Sequence, residues 1–245
     1  MGDKAEKTCC LTAFYHSTVG KKMIMALTGI VLVGFVIGHM IGNLKVFYPC
    51  HPPAPCKIDE YAIFLREIGA HLFGHEVVLW LVRVVLLLSV LLHVDSAIKL
   101  SLRNRKSAGR TGEGQRYAVK SFRSATYASR SMSIGGSIIF LFIIIHILHF
   151  TTGNLHFAGF EHMHVQANVT RAFQSVGWVI LYVVAVSGLG MHLYHGVWSM
   201  FQTLGIDSPS TNKVLRTGAL VIGVVVSVGF AAVPLAIFLG VIPVQ

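Results

Sequence analysis

Six histidines, His39, His93, His146, His149, His192 and His195, lie inside long apolar stretches of this chain. Ionisable groups at membrane depth are costly and by default functional. A lone imidazole on an apolar helix is more often a hydrogen-bonded packing residue, and that account serves any one of the six. It serves much less well when four separate apolar segments each carry at least one. The chemistry open to such a set is metal ligation or proton relay. Zinc suits it poorly, because zinc takes about four N, S or O ligands. No His-Glu-x-x-His occurs, and the cysteines (Cys9, Cys10, Cys50 and Cys56) all fall outside the histidine-bearing stretches. Cys-x-x-Cys-His is also absent, which excludes covalent c-type haem attachment.

The elements that must position these residues follow from composition. The chain has 245 residues, 54% hydrophobic and only 12% charged. Soluble domains carry about 25% charged residues, so a soluble enzyme is excluded, and the same numbers exclude disorder. Five apolar segments reach the roughly 20 helical residues a bilayer crossing needs. They run over about 23–46, 76–100, 131–153, 174–201 and 215–241. The first is too long for a cleaved signal peptide and ends in polar Asn43 and Lys45. The expected fold is an all-α integral membrane protein: a single five-helix transmembrane domain over 23–241, with a cytoplasmic tail over 1–22 and a basic loop over 99–130.

Charge then orients it. Of the 20 Lys and Arg, fifteen lie on one side. These are Lys4, Lys7, Lys21 and Lys22 in the tail, nine cations from Lys99 to Arg130, and Lys213 and Arg216 before the last span. The other side has Lys45, Lys57, Arg66 and Arg171. Cytoplasmic loops are rich in Lys and Arg, so the N-terminus is expected inside and the C-terminus outside. The net charge of +10 is thus a membrane address, with no nucleic-acid partner implied. The 99–130 loop reads either as a solvated loop near anionic lipid or as a platform for a cytoplasmic partner. Cys50 and Cys56 bracket a Pro-rich turn that can close a local disulfide in an oxidising compartment.

Depth sorts the histidines into two levels. At a rise of about 1.5 Å per residue, His39 lies roughly 26 Å beyond Lys22 and His146 roughly 24 Å beyond Arg130, both near the outer face. Spans two and four run inward. His93 sits only about 9 Å before Lys99, and His192 about ten residues before the end of its span, so both are nearer the inside. Each level takes histidines from two helices, which suits haem iron held by two axial imidazoles. His149 stands three residues from His146, and His195 three from His192. Such pairs share a helix face, so spacing alone does not choose between them. Gly34, Gly38 and Gly42 give span one a smooth face where a macrocycle or a neighbouring helix can approach.

Several motifs in fixed order resemble the dihaem cytochrome b558-type membrane anchor of succinate dehydrogenases and fumarate reductases. They are Ser17-Thr-Val-Gly-Lys-Lys22, Met25-Ala-Leu-Thr-Gly29 and Gly38-His-Met-Ile-Gly-Asn-Leu44, then Trp80-Leu-Val-Arg83 ahead of His93. Gly188-Leu-Gly-Met-His-Leu-Tyr-His-Gly-Val-Trp-Ser199 and Phe201-Gln-Thr-Leu-Gly205 follow. The resemblance covers about 17–218 and implies a haem-binding four-helix bundle with a flanking fifth helix. It selects His192, four residues before Gly-x-Trp-Ser, and His146, about ten residues after a small-residue pair. It implies two b haems, a distal one on His39 and His146 and a proximal one on His93 and His192. The implied partners are a flavoprotein subunit, an iron–sulfur subunit, membrane lipid and a quinone, with menaquinone expected. The implied location is a bacterial inner (cytoplasmic) membrane. Some fumarate-reductase relatives carry a span-four carboxylate that moves protons, and Gly188–His192 contains none.

Quinone chemistry needs proton donors beside an apolar slot, and the outer-side candidates are Arg66, Glu67, His71, His75 and Glu76. Each serves equally as part of a solvated loop and helix cap. Arg83 lies about two turns inside span two, where an unpaired cation is costly, so a haem propionate or a quinone is its expected partner. Asp95, two residues after His93, points away from it and is expected to pair with another helix near the inner interface. Lys21, Lys22 and Arg130 are either propionate partners or ordinary positive-inside residues. His51, His156, His162 and His164 are expected in solvated outer loops, and Pro234 is expected to kink span five. Two other readings compete. One is a dihaem cytochrome b of a hydrogenase or formate dehydrogenase, whose histidines are distributed differently among the helices. The other is a transporter that relays protons through buried histidines.

Overall fold

The computed structural model describes residues 10–51, 53–107, 127–155 and 159–244. Lys4, Lys7, Cys9, four of the nine cations of the 99–130 loop (Arg110, Arg116, Lys120 and Arg123) and His156 lie outside the described residues. The described chain is helical and contains no strand. Its helices are α1 (Cys10–His16), α2 (Thr18–Asn43), α3 (Lys57–Glu67), α4 (Ala70–Phe73), α5 (Val77–Ser107), α6 (Tyr127–His146), α7 (Val165–Ala172), α8 (Val176–Thr203) and α9 (Asn212–Phe238). Among these, α2, α5, α6, α8 and α9 are long and apolar enough to cross a membrane.

Several helix ends differ from the hydropathy expectation, and the reason is polar side chains that find partners. Ser17 caps α2 by accepting the Gly20 N–H at 2.8 Å, a bond that satisfies one of the helix's orphan donors. The first long helix therefore starts at Thr18, and Lys21 and Lys22 belong to it instead of to a tail. Lys21 is fully buried there and pairs with Asp95 of α5 at 2.9 Å, the interhelical role expected of Asp95. Its ammonium also lies 3.5 Å from the Tyr15 ring centroid, so its charge is already answered within the chain. Lys99 reaches Asp95 from the next turn at 2.7 Å, and Arg103 donates to the His16 carbonyl at 2.6 Å. These bonds tie α1 to α5 and keep α5 helical to Ser107, beyond the apolar stretch.

The long helices pack side by side: α8 against α9 and α6, and α2 against α5, α8 and α9. The closest crossing is glycine on glycine. A Cβ on Gly223 of α9 would lie 2.6 Å from the Gly190 carbonyl oxygen of α8. This is the small-residue contact that lets helix backbones approach in lipid. The fifth helix is more than a flank, since Gly229 packs under Met40 and Phe230 meets the His39 ring. It runs unbroken through Pro234.

At the end away from the Lys21–Asp95 cluster, α3 and α7 lie across the bundle. Asp59 accepts the Gln166 N–H at 3.0 Å, and the Gln166 amide donates to the Val46 carbonyl at 3.5 Å. A disulfide joins Cys50 to Cys56 in the loop leading into α3.

Candidate functional site

The helices bring the histidines together in two facing pairs. His39 of α2 faces His146 of α6 at the disulfide end, with ring centroids 5.7 Å apart. His93 of α5 faces His192 of α8 nearer the cation-rich end, with centroids 6.4 Å apart. Along α8, Tyr182 beside His146 is ten residues before His192, a separation of about 15 Å. Along α2, Thr28 beside His93 is eleven residues before His39, about 17 Å. The two independent helices therefore agree on the spacing between levels.

Neighbouring groups fix several rings. The Thr28 hydroxyl donates to the Ile24 carbonyl at 2.6 Å, which leaves its oxygen as an acceptor for His93 Nδ1 at 3.1 Å. His93 then carries its proton on Nδ1, and Nε2 keeps a free lone pair. At the other level, Tyr182 Oη lies 3.3 Å from His146 Nδ1. Hydrogen bonds to the second ring nitrogen are how proteins orient and tune an imidazole ligand. The His192 ring has a buried Nδ1 without a hydrogen-bond partner among the described residues, an uncommon state for a buried polar atom.

Spacing left His149 and His195 open, and the structure separates them from the pairs. After His146 the helix widens into a π turn, Ile147–Thr151, with the Thr152 N–H bonded to the Ile147 carbonyl. His149 falls in that turn. It is 1% exposed and stacks on Trp178 and Phe150 at 3.9 and 4.1 Å, away from His39. His195 meets Trp198 edge-on at 6.1 Å.

The residues present fit a planar metal macrocycle. Two imidazoles bound to one metal at about 2 Å each have ring centroids about 6 Å apart, close to both observed separations. Among the described residues no three His, Cys, Asp or Glu side chains converge, so each level presents a pair of imidazoles. Smooth helix surface flanks both pairs. A Cβ on Gly34, Gly38, Gly135 or Gly188 would meet nothing within 4 Å. On Gly29 and Gly136 it would sit 3.8 Å from the His93 ring and 3.7 Å from the His192 ring. Of the stripe read from span one, Gly42 alone is filled, by the Tyr61 ring.

The remaining candidates lie toward the disulfide end. Arg66 is bound to Glu76 at 3.1 Å, and the Glu76 N–H donates to the Arg66 carbonyl at 2.9 Å. The two thus close the loop that carries His71 and His75, both exposed, as is Glu67. Arg83 is half-buried with its guanidinium 4.8 Å from the Trp80 ring centroid. His51, His162 and His164 are exposed. The Arg171 guanidinium, 2.6 Å from Glu161, holds that carboxyl below the usual carboxylate range.

Thr28, Tyr182, Trp178 and Phe230 are the site residues that sequence reasoning missed. A signal for two of them existed, since the depth count that levels the histidines also puts Thr28 beside His93 and Tyr182 beside His146. No family model, curated protein or solved structure matches the chain.

Proposed function

We propose that this chain is a dihaem cytochrome b membrane anchor of a succinate:quinone oxidoreductase. The observation that carries the reading is the pair of facing imidazole couples at two levels, one histidine from each of four membrane-length helices. Haem supplies single-electron carriage when bound. His39 and His146 would hold the outer one, and His93 and His192 the inner. This chain's own work is to hold and tune those ligands. Thr28 keeps the His93 proton on Nδ1, and the Phe35, Phe142 and Phe150 rings beside His39 and His146 keep water from the outer pair.

Two lines support the orientation in a bacterial inner membrane. Cations gather at the inner end, and the Cys50–Cys56 disulfide sits at the opposite end, where an oxidising compartment allows it. The cation-rich inner face is the docking side for the iron–sulfur subunit and its flavoprotein partner. The quinone, menaquinone in this reading, lies near the outer pair. There Arg83 offers a cation for a propionate or the quinone, and His71 and His75 offer proton exchange with outside water, with Arg66 and Glu76 shaping their loop. Moving one charge across the membrane is worth about 2.3 kcal/mol per 100 mV, so a two-level path is coupled to the membrane potential.

The test is to purify the complex and record its b-haem content and its companions. Two haems per chain, a co-purifying flavoprotein with succinate dehydrogenase activity, and loss of one haem in each of His39→Ala, His93→Ala, His146→Ala and His192→Ala are expected. Normal haem content in all four variants overturns the ligand assignment, and a different companion enzyme overturns the partner assignment.

A further inference from the structure

One hydroxyl in this molecule serves two imidazoles. Tyr182 Oη lies 3.3 Å from His146 Nδ1 and 3.0 Å from His149 Nδ1. The tyrosine is 7% exposed and the His149 side chain is almost fully enclosed, so water is not there to substitute. A phenol has one proton to give. At most one of the two nitrogens accepts it, and because a buried hydroxyl proton left without an acceptor is costly, one nitrogen accepts, the other donates, and the two histidines hold opposite tautomers.

The surroundings decide which is which. His149 is clamped between Trp178 and Phe150 and has no route to His39. His146 faces His39, and its Nδ1 is committed to Tyr182, so Nε2 is the nitrogen left for a ligand. A nitrogen that binds a metal carries no proton. His146 then bears its proton on Nδ1 and donates it to Tyr182. Tyr182 donates its hydroxyl hydrogen bond to His149 Nδ1, and His149 keeps its proton on Nε2.

We propose that Tyr182 is a positioning residue of the outer site, which uses the clamped His149 to lock His146 with Nε2 toward His39. This rests on the reading of His39 and His146 as haem ligands. The inner level has a shorter version, in which Thr28 disposes of its own proton on a backbone carbonyl. In a chain of hydrogen bonds each bond strengthens the next, so the Tyr182 relay makes His146 a more electron-rich ligand. An electron-rich axial ligand favours the oxidised iron, and the outer haem titrates at a lower potential than it would without the relay.

The experiment is Tyr182→Phe in the intact complex, which keeps the ring and removes the hydroxyl. The expected result is an upward shift of the outer-haem midpoint in a redox titration, with the inner-haem midpoint unmoved. His149→Phe is the companion variant. It removes the acceptor at the end of the relay and should move the same midpoint in the same direction by less. Unmoved outer midpoints in both variants overturn the proposal. Nitrogen-15 histidine spectra of the parent supply a readout independent of potential. One Nδ1–H and one Nε2–H tautomer bonded to Tyr182 support the relay, and two identical tautomers overturn it. A parent that holds no b haem overturns the functional reading instead, and the same spectra then decide the tautomer pair by themselves.

Discussion

Thr28 and His93 make the simplest case of a side chain set by its neighbour. The threonine hydroxyl bonds back to the Ile24 carbonyl, as helical threonines often do, and the oxygen left over takes the His93 Nδ1 proton. Thr28→Val keeps the shape and removes the acceptor. His93 can still turn toward the Met25 carbonyl, so the expected loss is about 1 kcal/mol, the low end for a buried donor left wanting. A small drop in thermal midpoint of the purified complex, with the inner-haem potential displaced and the outer one unchanged, would check it. The histidines themselves were legible from depth, because helix rise converts residue number into height. The choice between His146 and His149 was not. In a regular helix the two share a face, and both rings do reach Tyr182; it is the stacking of His149 on Trp178, in the π turn Ile147–Thr151, that sets it apart from His146 facing His39. Tyr182 and Thr28 stayed hidden for a different reason: a hydroxyl in an apolar helix satisfies its own backbone often enough that its presence alone signals nothing.

At the scale of elements, hydropathy located the five long helices and misplaced their ends. It registers apolar residues, so it began span one at about 23, after Lys21 and Lys22, and ended span two at about 100, just past Lys99. The helices continue there because Asp95 joins both lysines. Short α3, α4 and α7 were not foreseen either, since their apolar faces are too brief to stand out, yet α3 and α7 close one end of the bundle. The α8–α9 crossing is the contact most sensitive to volume. Gly223→Ala puts a methyl where the Gly190 carbonyl stands, and the helices must separate to admit it. A penalty of about 1–3 kcal/mol is expected, read as a lower unfolding temperature in detergent. Because Gly190 lies two residues before His192 on α8, the haem proposed for the inner pair should be released before the outer one on heating. Gly218→Ala, on the same helix with open space at its Cβ, is the matched control and should leave both unchanged.

For the whole molecule, the proposed function depends on which way the two levels face, because under it the inner pair meets a soluble electron donor and the outer pair a quinone. The cysteines provide a test without substitution. Cys50 and Cys56 are joined in a loop at one end, whereas Cys9 and Cys10 lie at the start of the chain, before the α1 residues that Arg103 holds at the other. If the cation-rich end faces the cytoplasm, a membrane-impermeant maleimide added to intact spheroplasts should modify nothing until a reductant opens the disulfide. It should then label Cys50 and Cys56 alone, and Cys9 and Cys10 only after the membrane is permeabilised. Opening this short loop releases about 2 kcal/mol of chain constraint, little enough for the labelled protein to keep its helices. Labelling of Cys9 and Cys10 from outside would invert the molecule. The His93–His192 pair would then face away from the cytoplasm, and electron entry from a cytoplasmic iron–sulfur subunit would have to begin at His39 and His146 instead.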